Sequence, residues 1–288
     1  MNKKIVAMVT SLVIGSTMLL GTTYANAKQL SGYDSYKAAI KDTKNLKNET
    51  ANLKVSVYDN GSDIMDMTTN AKINLASDAM SHETSLKSST ETETFNIYRQ
   101  NGKNISKSSS SPVYNVRDVK ARNNNKAQNP EIEKSVETIV DTLTGNMKNN
   151  VSVTDNNGSG KKVSINLSEN DVTPLVNAVT SIAFIGNSDK PVYKEKAGEI
   201  NLSNVIPKLQ SNVKVKSAVV TGDINNNDIL NNQVAKIVIT GTDAQEKTHE
   251  ITINMNFDIA NINSTTPDTV DLTGKQVKNI TQQFREEN

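Results

Sequence analysis

Residues 53–75, LKVSVYDNGSDIMDMTTNAKINL, decide the fold. Leu53, Val55 and Val57 alternate with polar residues, Asp59-Asn60-Gly61-Ser62 interrupts them, and Met65, Met67, Thr69, Ala71, Ile73 and Leu75 resume the alternation. A period of two sends successive side chains to opposite faces of a strand, and Asn-Gly accepts the positive φ angles of a tight hairpin. The stretch therefore predicts an antiparallel hairpin with one apolar and one polar face.

Working outward, the same pattern continues through Thr84 and Leu86, then Phe95 and Ile97, with a second turn at Asn101-Gly102. Farther along, Val151 and Val153 face Val163, Ile165 and Leu167 across the loop 155–160. Three more strands follow, around Val213 to Val219, Val234 to Thr240, and Ile251 to Ile259. Helical spacing marks four other segments. Residues 33–48 place Tyr33, Tyr36, Ala39 and Ile40 on one side. Residues 130–148 carry Ile132, Val136, Ile139, Val140 and Leu143 behind a Pro130 start with Glu131 and Glu133 in the first turn. Residues 172–183 and 202–209 read as two further helices. Segments 106–112 and 122–129, rich in serine and asparagine, read as linkers. The economical arrangement is α+β: a large curved antiparallel sheet, a half-barrel, with several helices packed on its concave face.

The N-terminus reads as an export signal. Lys3 and Lys4 precede an apolar run over residues 5–20, followed by the small-x-small pattern Ala25-Asn26-Ala27. The run is short for a membrane span, and no cysteine stands at the junction to take a lipid. Residues 1–27 are expected to be removed, leaving 28–288 as a single domain with a candidate internal boundary near 122–129. The product is expected outside the cell, free or associated with the cell wall.

Composition narrows the chemistry. The chain has 32 Lys and Arg, and without Lys3 and Lys4 the remaining 30 stand against 31 Asp and Glu, a net charge of −1. Such a balance offers no basic track for nucleic acid. Cysteine and tryptophan are absent, and asparagine makes up roughly one residue in seven, against a few per cent ordinarily. There is no thiol nucleophile, no Gly-x-Ser-x-Gly elbow, no phosphate-binding glycine loop and no His-Glu-x-x-His. A carboxylate pair for sugar cleavage would ordinarily sit among aromatic platforms, which are scarce here. The expectation is a protein that is not an enzyme and needs no cofactor.

A signal peptide, an amphipathic helix at Tyr33-Asp34-Ser35-Tyr36-Lys37-Ala38-Ala39-Ile40 and the long strands of residues 52–75 resemble the half-barrel superfamily of LolA-type lipoprotein carriers and related Gram-positive lipoproteins. The resemblance covers the mature chain by pattern, and the missing lipid-attachment cysteine departs from the Gram-positive members. It implies an open barrel lidded by helices, with acyl chains held between them. On that reading the chain is a secreted, non-catalytic binding protein for a lipid or other apolar or amphiphilic ligand, with Met65, Met67, Ile139, Leu143, Met255 and Phe257 as the candidate pocket wall. The alternative is a structural or protein-interaction module of the cell envelope or spore coat, partnered by an envelope protein and holding no cavity.

Two other features carry weaker signals. His82 and His249 share the parity of the inward-facing rows that follow them, which suggests the polar end of a cavity, a two-histidine metal site or two unrelated rim residues. Asp223, Asn225 and Asn227 imitate the start of a calcium loop, but Asp228 and Val234 occupy the positions that need glycine and a carboxylate. A plain polar loop with no metal is the better reading. Protein recovered outside the cells is expected to begin at Lys28, as N-terminal sequencing would show; intact Met1 in the membrane fraction would overturn the export reading.

Overall fold

In the computed structural model, which describes residues 32–119, 149–180 (apart from 175, 178 and 179) and 206–280, the stretch 53–75 lies in the hairpin its alternation predicts. Strand β1 (Asn48–Asp59) and β2 (Ser62–Asn74) flank a turn in which Asn60 has φ 49° and Gly61 φ 82°. Positive φ at both central residues matches the right-handed twist of the flanking strands. Asn101-Gly102 and Asn157-Gly158 turn in the same way.

The other strands are β3 (Ala79–Ser88), β4 (Thr92–Gln100), β5 (Lys103–Ser108), β6 (Tyr114–Asp118), β7 (Val151–Asp155), β8 (Lys161–Ser168), β9 (Ser211–Ile224), β10 (Leu230–Thr242), β11 (Thr248–Ala260) and β12 (Val277–Asn279). They form one 12-stranded sheet in the order β12-β6-β5-β4-β3-β2-β1-β11-β10-β9-β8-β7. Two meanders, β1 to β6 and β7 to β11, are joined where β1 pairs antiparallel with β11. The sheet is mixed because β12 runs parallel to β6.

The expectation of several helices on one face is overturned. Among the described residues one α-helix is seen whole, α1 (Gly32–Lys44), with residues 174, 176, 177 and 180 also helical, beside twelve strands. The expected segment 33–48 stops short because Asn48 already pairs with Asn74 at the head of β1. Residues 206–210 are not helical: Pro207 disfavours a helical conformation at Ile206, and the Gln210 amide donates to the Thr242 carbonyl at 2.7 Å. Val172 is extended, and the segment expected from about 172 is helical at its described residues 174, 176, 177 and 180, behind Thr173, whose hydroxyl accepts from the Val176 amide at 3.3 Å. The expected helix 130–148 lies outside the described residues, as does the linker 122–129. The proposed linker at 106–112 begins inside β5, since Ser106 pairs with Ile97 and Asn115.

Alternation along the strands separates two faces. On the apolar face, Val55 lies between Met67 and Met255, and Val57 between Met65 and Ile253. With Ile237, Ile239, Ile251 and Val215 they make the main core. Leu209 closes over it, fully buried, and sits against Gly241, where an added Cβ would come within 2.8 Å of the leucine. Helix α1 covers a second cluster, packing Tyr36, Ala39 and Ile40 on Val163, Ile224 and Leu230. The Tyr36 hydroxyl donates to Gln233 Oε1 at 2.5 Å, and burial pushes its pKa up, so the phenol stays neutral.

A strap unforeseen in the sequence crosses the polar face. After β11, residues 261–276 run over β1 to β5 and deliver β12 to the far edge. Two side-chain amides grip its backbone in the manner of strand pairing. Asn48 donates to the Thr265 carbonyl at 3.0 Å and accepts from its N–H at 2.8 Å. Gln100 does the same with Val270, at 2.9 and 2.8 Å. Asp268 pairs with Lys72 at 2.8 Å and accepts from Ser81. Ile105 and Val116 lie on this polar face between Gln100 and β12, yet are 1% and 3% exposed. Gln100→Ala removes both bonds to Val270 and is expected to cost about 1–3 kcal/mol in urea unfolding. It should also speed tryptic cleavage at Lys275; a variant as stable and as resistant as the parent would show that the strap is not held there.

Candidate functional site

Four of the residues expected to line an apolar pocket are described, and they lie on the apolar face of the sheet. Met65, Met67 and Met255 are 1%, 3% and 3% exposed, and Phe257 packs half-buried against the same cluster. The structure brings these four together on one face of β2, β1 and β11, as their parity implied. Ile139 and Leu143 lie outside the described residues. Among the described residues no helix is long and apolar enough to cross a membrane.

The two histidines do not converge. His82 shares a register row with Ala71 and Ala51 that meets β11 at Ile259, ten residues from His249 and so about 33 Å along that strand. Its Nε2 lies 2.8 Å from Thr84 Oγ1, and burial lowers its pKa, favouring the neutral ring. His249 opens the apolar row of β11, and its ring is sandwiched between carboxylates. Nδ1 lies 2.9 Å from Asp59 at the end of β1, and Nε2 lies 3.1 Å from Asp243 in the β10–β11 turn. Carboxylates only accept, so both ring nitrogens donate. Burial works against the charged ring, but the hydrogen bonds to Asp243 and Asp59 outweigh it and hold the pKa above its ordinary value. The same bond, with amide donors from Lys247 and Gln245, holds Asp243 below the usual carboxylate range. This cluster ties the β1–β2 turn to the β10–β11 turn, helped by Asn60, which accepts from the Glu250 amide at 3.0 Å.

The calcium-like segment is a turn. Asn225 Oδ1 accepts from the Asn227 and Ile229 amides at 2.9 and 3.1 Å, and Asp228 pairs with Lys161 at 2.7 Å. Asp223 belongs to β9. Among the described residues no group of three His, Asp or Glu side chains could hold a metal.

The arrangement that stands out lies on the polar face. Following the register from β9 to β5, one row of directly opposed residues reads Asp223, Asn232, Asp258, Asn52, Asn70, Glu83, Asn96, Lys107. It continues to Lys162 on β8 and Thr154 on β7. Ten strands thus contribute ten polar side chains to a single line. Its centre is ordered by its own hydrogen bonds: Asn70 donates to Asn52 Oδ1 at 2.6 Å, and Asn52 donates to Asp258 Oδ2 at 2.8 Å. A cavity of about 340 Å³ opens there, lined by Asn52, Lys54, Thr68, Asn70, Glu83 and Asp258. A smaller one of about 90 Å³ adjoins it through Asn70 and Glu83 and reaches Asn96, Tyr98 and Asp268 of the strap. Burial, then Tyr114, Glu83 and Asp268 nearby, push the Tyr98 phenol up against an opposing pull from Lys275, so it remains a neutral donor. No residue of this row stood among the expected pocket residues. Its signal was present as Asn, Asp or Glu at polar positions of successive strands, but only register aligns them.

No family model matches the chain, and no curated protein matches it. Among solved structures it is similar to a β-barrel-like protein of a domain of unknown function, DUF1849, from Brucella abortus, at 11% identity over 75% of this chain and 98% of that one. The TM-score is 0.18, too low to carry an argument about this fold or the LolA-type resemblance.

The histidine cluster gives a pH dependence of definite sign. A pKa raised on folding adds stability below the unfolded value, about 6.5, and that stability is lost as pH rises through the folded value. His82, shifted the other way, gains stability as pH rises to about 6.5 and is common to parent and variant, so their difference isolates His249. The urea midpoint of the parent is expected to fall relative to that of His249→Gln as pH rises above about 6.5; a constant difference would mean that the ring is neutral throughout.

Proposed function

We propose that this chain is an exported, non-catalytic interaction module of the cell envelope, extracellular or wall-associated, with a filled core and its recognition surface on the polar face of the sheet. The observation that carries this reading is the row of opposed polar side chains with a cavity at its middle. A solvated sheet face needs only scattered polar residues, whereas this one aligns amides and carboxylates and orders them before any ligand arrives. Packing of Met65, Met67 and Met255 to 1–3% exposure favours the module over an apolar carrier, whose ligand would occupy their place.

The two readings separate on the core. In a close-packed core Met67→Ala costs about 2–5 kcal/mol, because the cavity it leaves adds to the lost transfer energy. The mature protein is expected to show that full cost, to take up no apolar fluorescent probe and to yield no stoichiometric lipid on extraction and mass spectrometry. Bound lipid, or a cost well under that range with altered probe uptake, would restore the carrier reading.

A further inference from the structure

We propose that the polar row binds an extended, uncharged polysaccharide laid across the strands, with about one sugar ring per strand. The inference rests on the interaction-module reading and names its ligand. Neighbouring strands lie about 4.8 Å apart, comparable to the step of one pyranose ring in an extended chain, so the row presents one side chain per sugar. The chemistry matches hydroxyl groups, which both donate and accept. Asp258 and Glu83 accept, whereas Asn52, Asn70 and Asn96 offer both functions. The internal chain Asn70 to Asn52 to Asp258 leaves Asp258 Oδ1, Asn70 Oδ1 and one amide hydrogen on each asparagine for a ligand. The side chains of Glu83 and Asn96 hydrogen-bond to none of the described residues, and both line the cavities. Tyr98, half-buried at the edge of the smaller cavity, supplies an aromatic surface for the C–H face of a sugar.

Other ligand classes fit less well. A peptide adds to a sheet through unpaired edge groups, but the row crosses β11, β1, β2, β3 and β4, whose backbones are paired on both sides. A polyanion needs a cationic track, and from β8 to β5 the row carries Asp223, Asp258 and Glu83 against Lys162 and Lys107. An apolar chain would leave the amides and carboxylates unpaired.

The test uses the mature chain, residues 28–288, in calorimetric titrations with cellohexaose, chitohexaose and maltohexaose and the matching disaccharides, and in co-sedimentation with purified cell-wall polysaccharide. At least one hexasaccharide is expected to bind about tenfold or more tighter than its disaccharide, because several strands contribute to the site. Asn52→Ala and Asn70→Ala should each weaken that binding about tenfold with unchanged circular dichroism, while Lys44→Ala on α1 leaves it intact. Binding by none of the sugars or the wall polysaccharide, equal affinity for the disaccharide, or indifference to both asparagine changes would overturn the proposal. Capture of an envelope protein through this face without sugar binding would overturn the polysaccharide and keep the module. Neither kind of partner would overturn both.

Discussion

The antiparallel pairing of β1 with β11 is the contact on which the rest of the structure depends. It runs from Thr50 opposite Ala260 to Asp59 opposite Ile251, joining residues some two hundred positions apart. Without it the strands fall into two meanders, each with an unprotected edge and half a core. With it, Val55 and Val57 are flanked on both sides by Met67, Met255, Met65 and Ile253, and the main apolar cluster closes. Bringing such distant residues together costs chain entropy that local turns do not, and the dry row along β1 and β11 offsets it.

That pairing also fixes both faces at once, because a slip of one residue would exchange them. The end of the paired region is clamped where His249 bridges Asp59 and Asp243, so the register is held by an ion cluster at one end and by apolar packing along its length. At the other end Asn48 and Thr50 receive the strap through Thr265, whose side chain lies 2.8 Å from that of Thr50. The strap then crosses five strands and places β12 on the edge strand β6. An exposed sheet edge invites pairing with other chains, and a short covering strand blunts it.

The asparagine content takes on a structural sense here. Asparagine accepts the left-handed conformation, and Asn60, Asn101 and Asn157 each use it at a hairpin turn. Asn48 uses its amide as a stand-in for backbone, reaching a segment that no strand pairing could reach. Asn232, Asn52, Asn70 and Asn96 serve the third purpose, the outward row. The same residue type thus turns the chain, ties down the strap and builds the candidate surface.

Although β6 and β12 gave no signal and irregular pairing of β9 with β10 leaves Val219 and Val234 exposed, the sequence by itself determined the strands that alternate clearly, β1 to β4 and β7 to β11, and most of their inward faces. Those follow from a period of two and from Asn-Gly dipeptides, which act within a few residues. The short helix at Tyr33 to Ile40 was legible for the same local reason. The helix expected over 202–209 was not realised in its described part, because Pro207 and the bond from Gln210 to Thr242 outweigh an apolar spacing that suits either conformation. Met65, Met67 and Met255 were legible as neighbours on one face, but whether they surround a ligand or each other depends on what closes over them, and Leu209 on Gly241 is a contact between distant segments. The polar row is decided by tertiary structure alone. Each of its residues is an ordinary outward position on its own strand, and only the register of ten strands, set by the core on the opposite face, brings them into line.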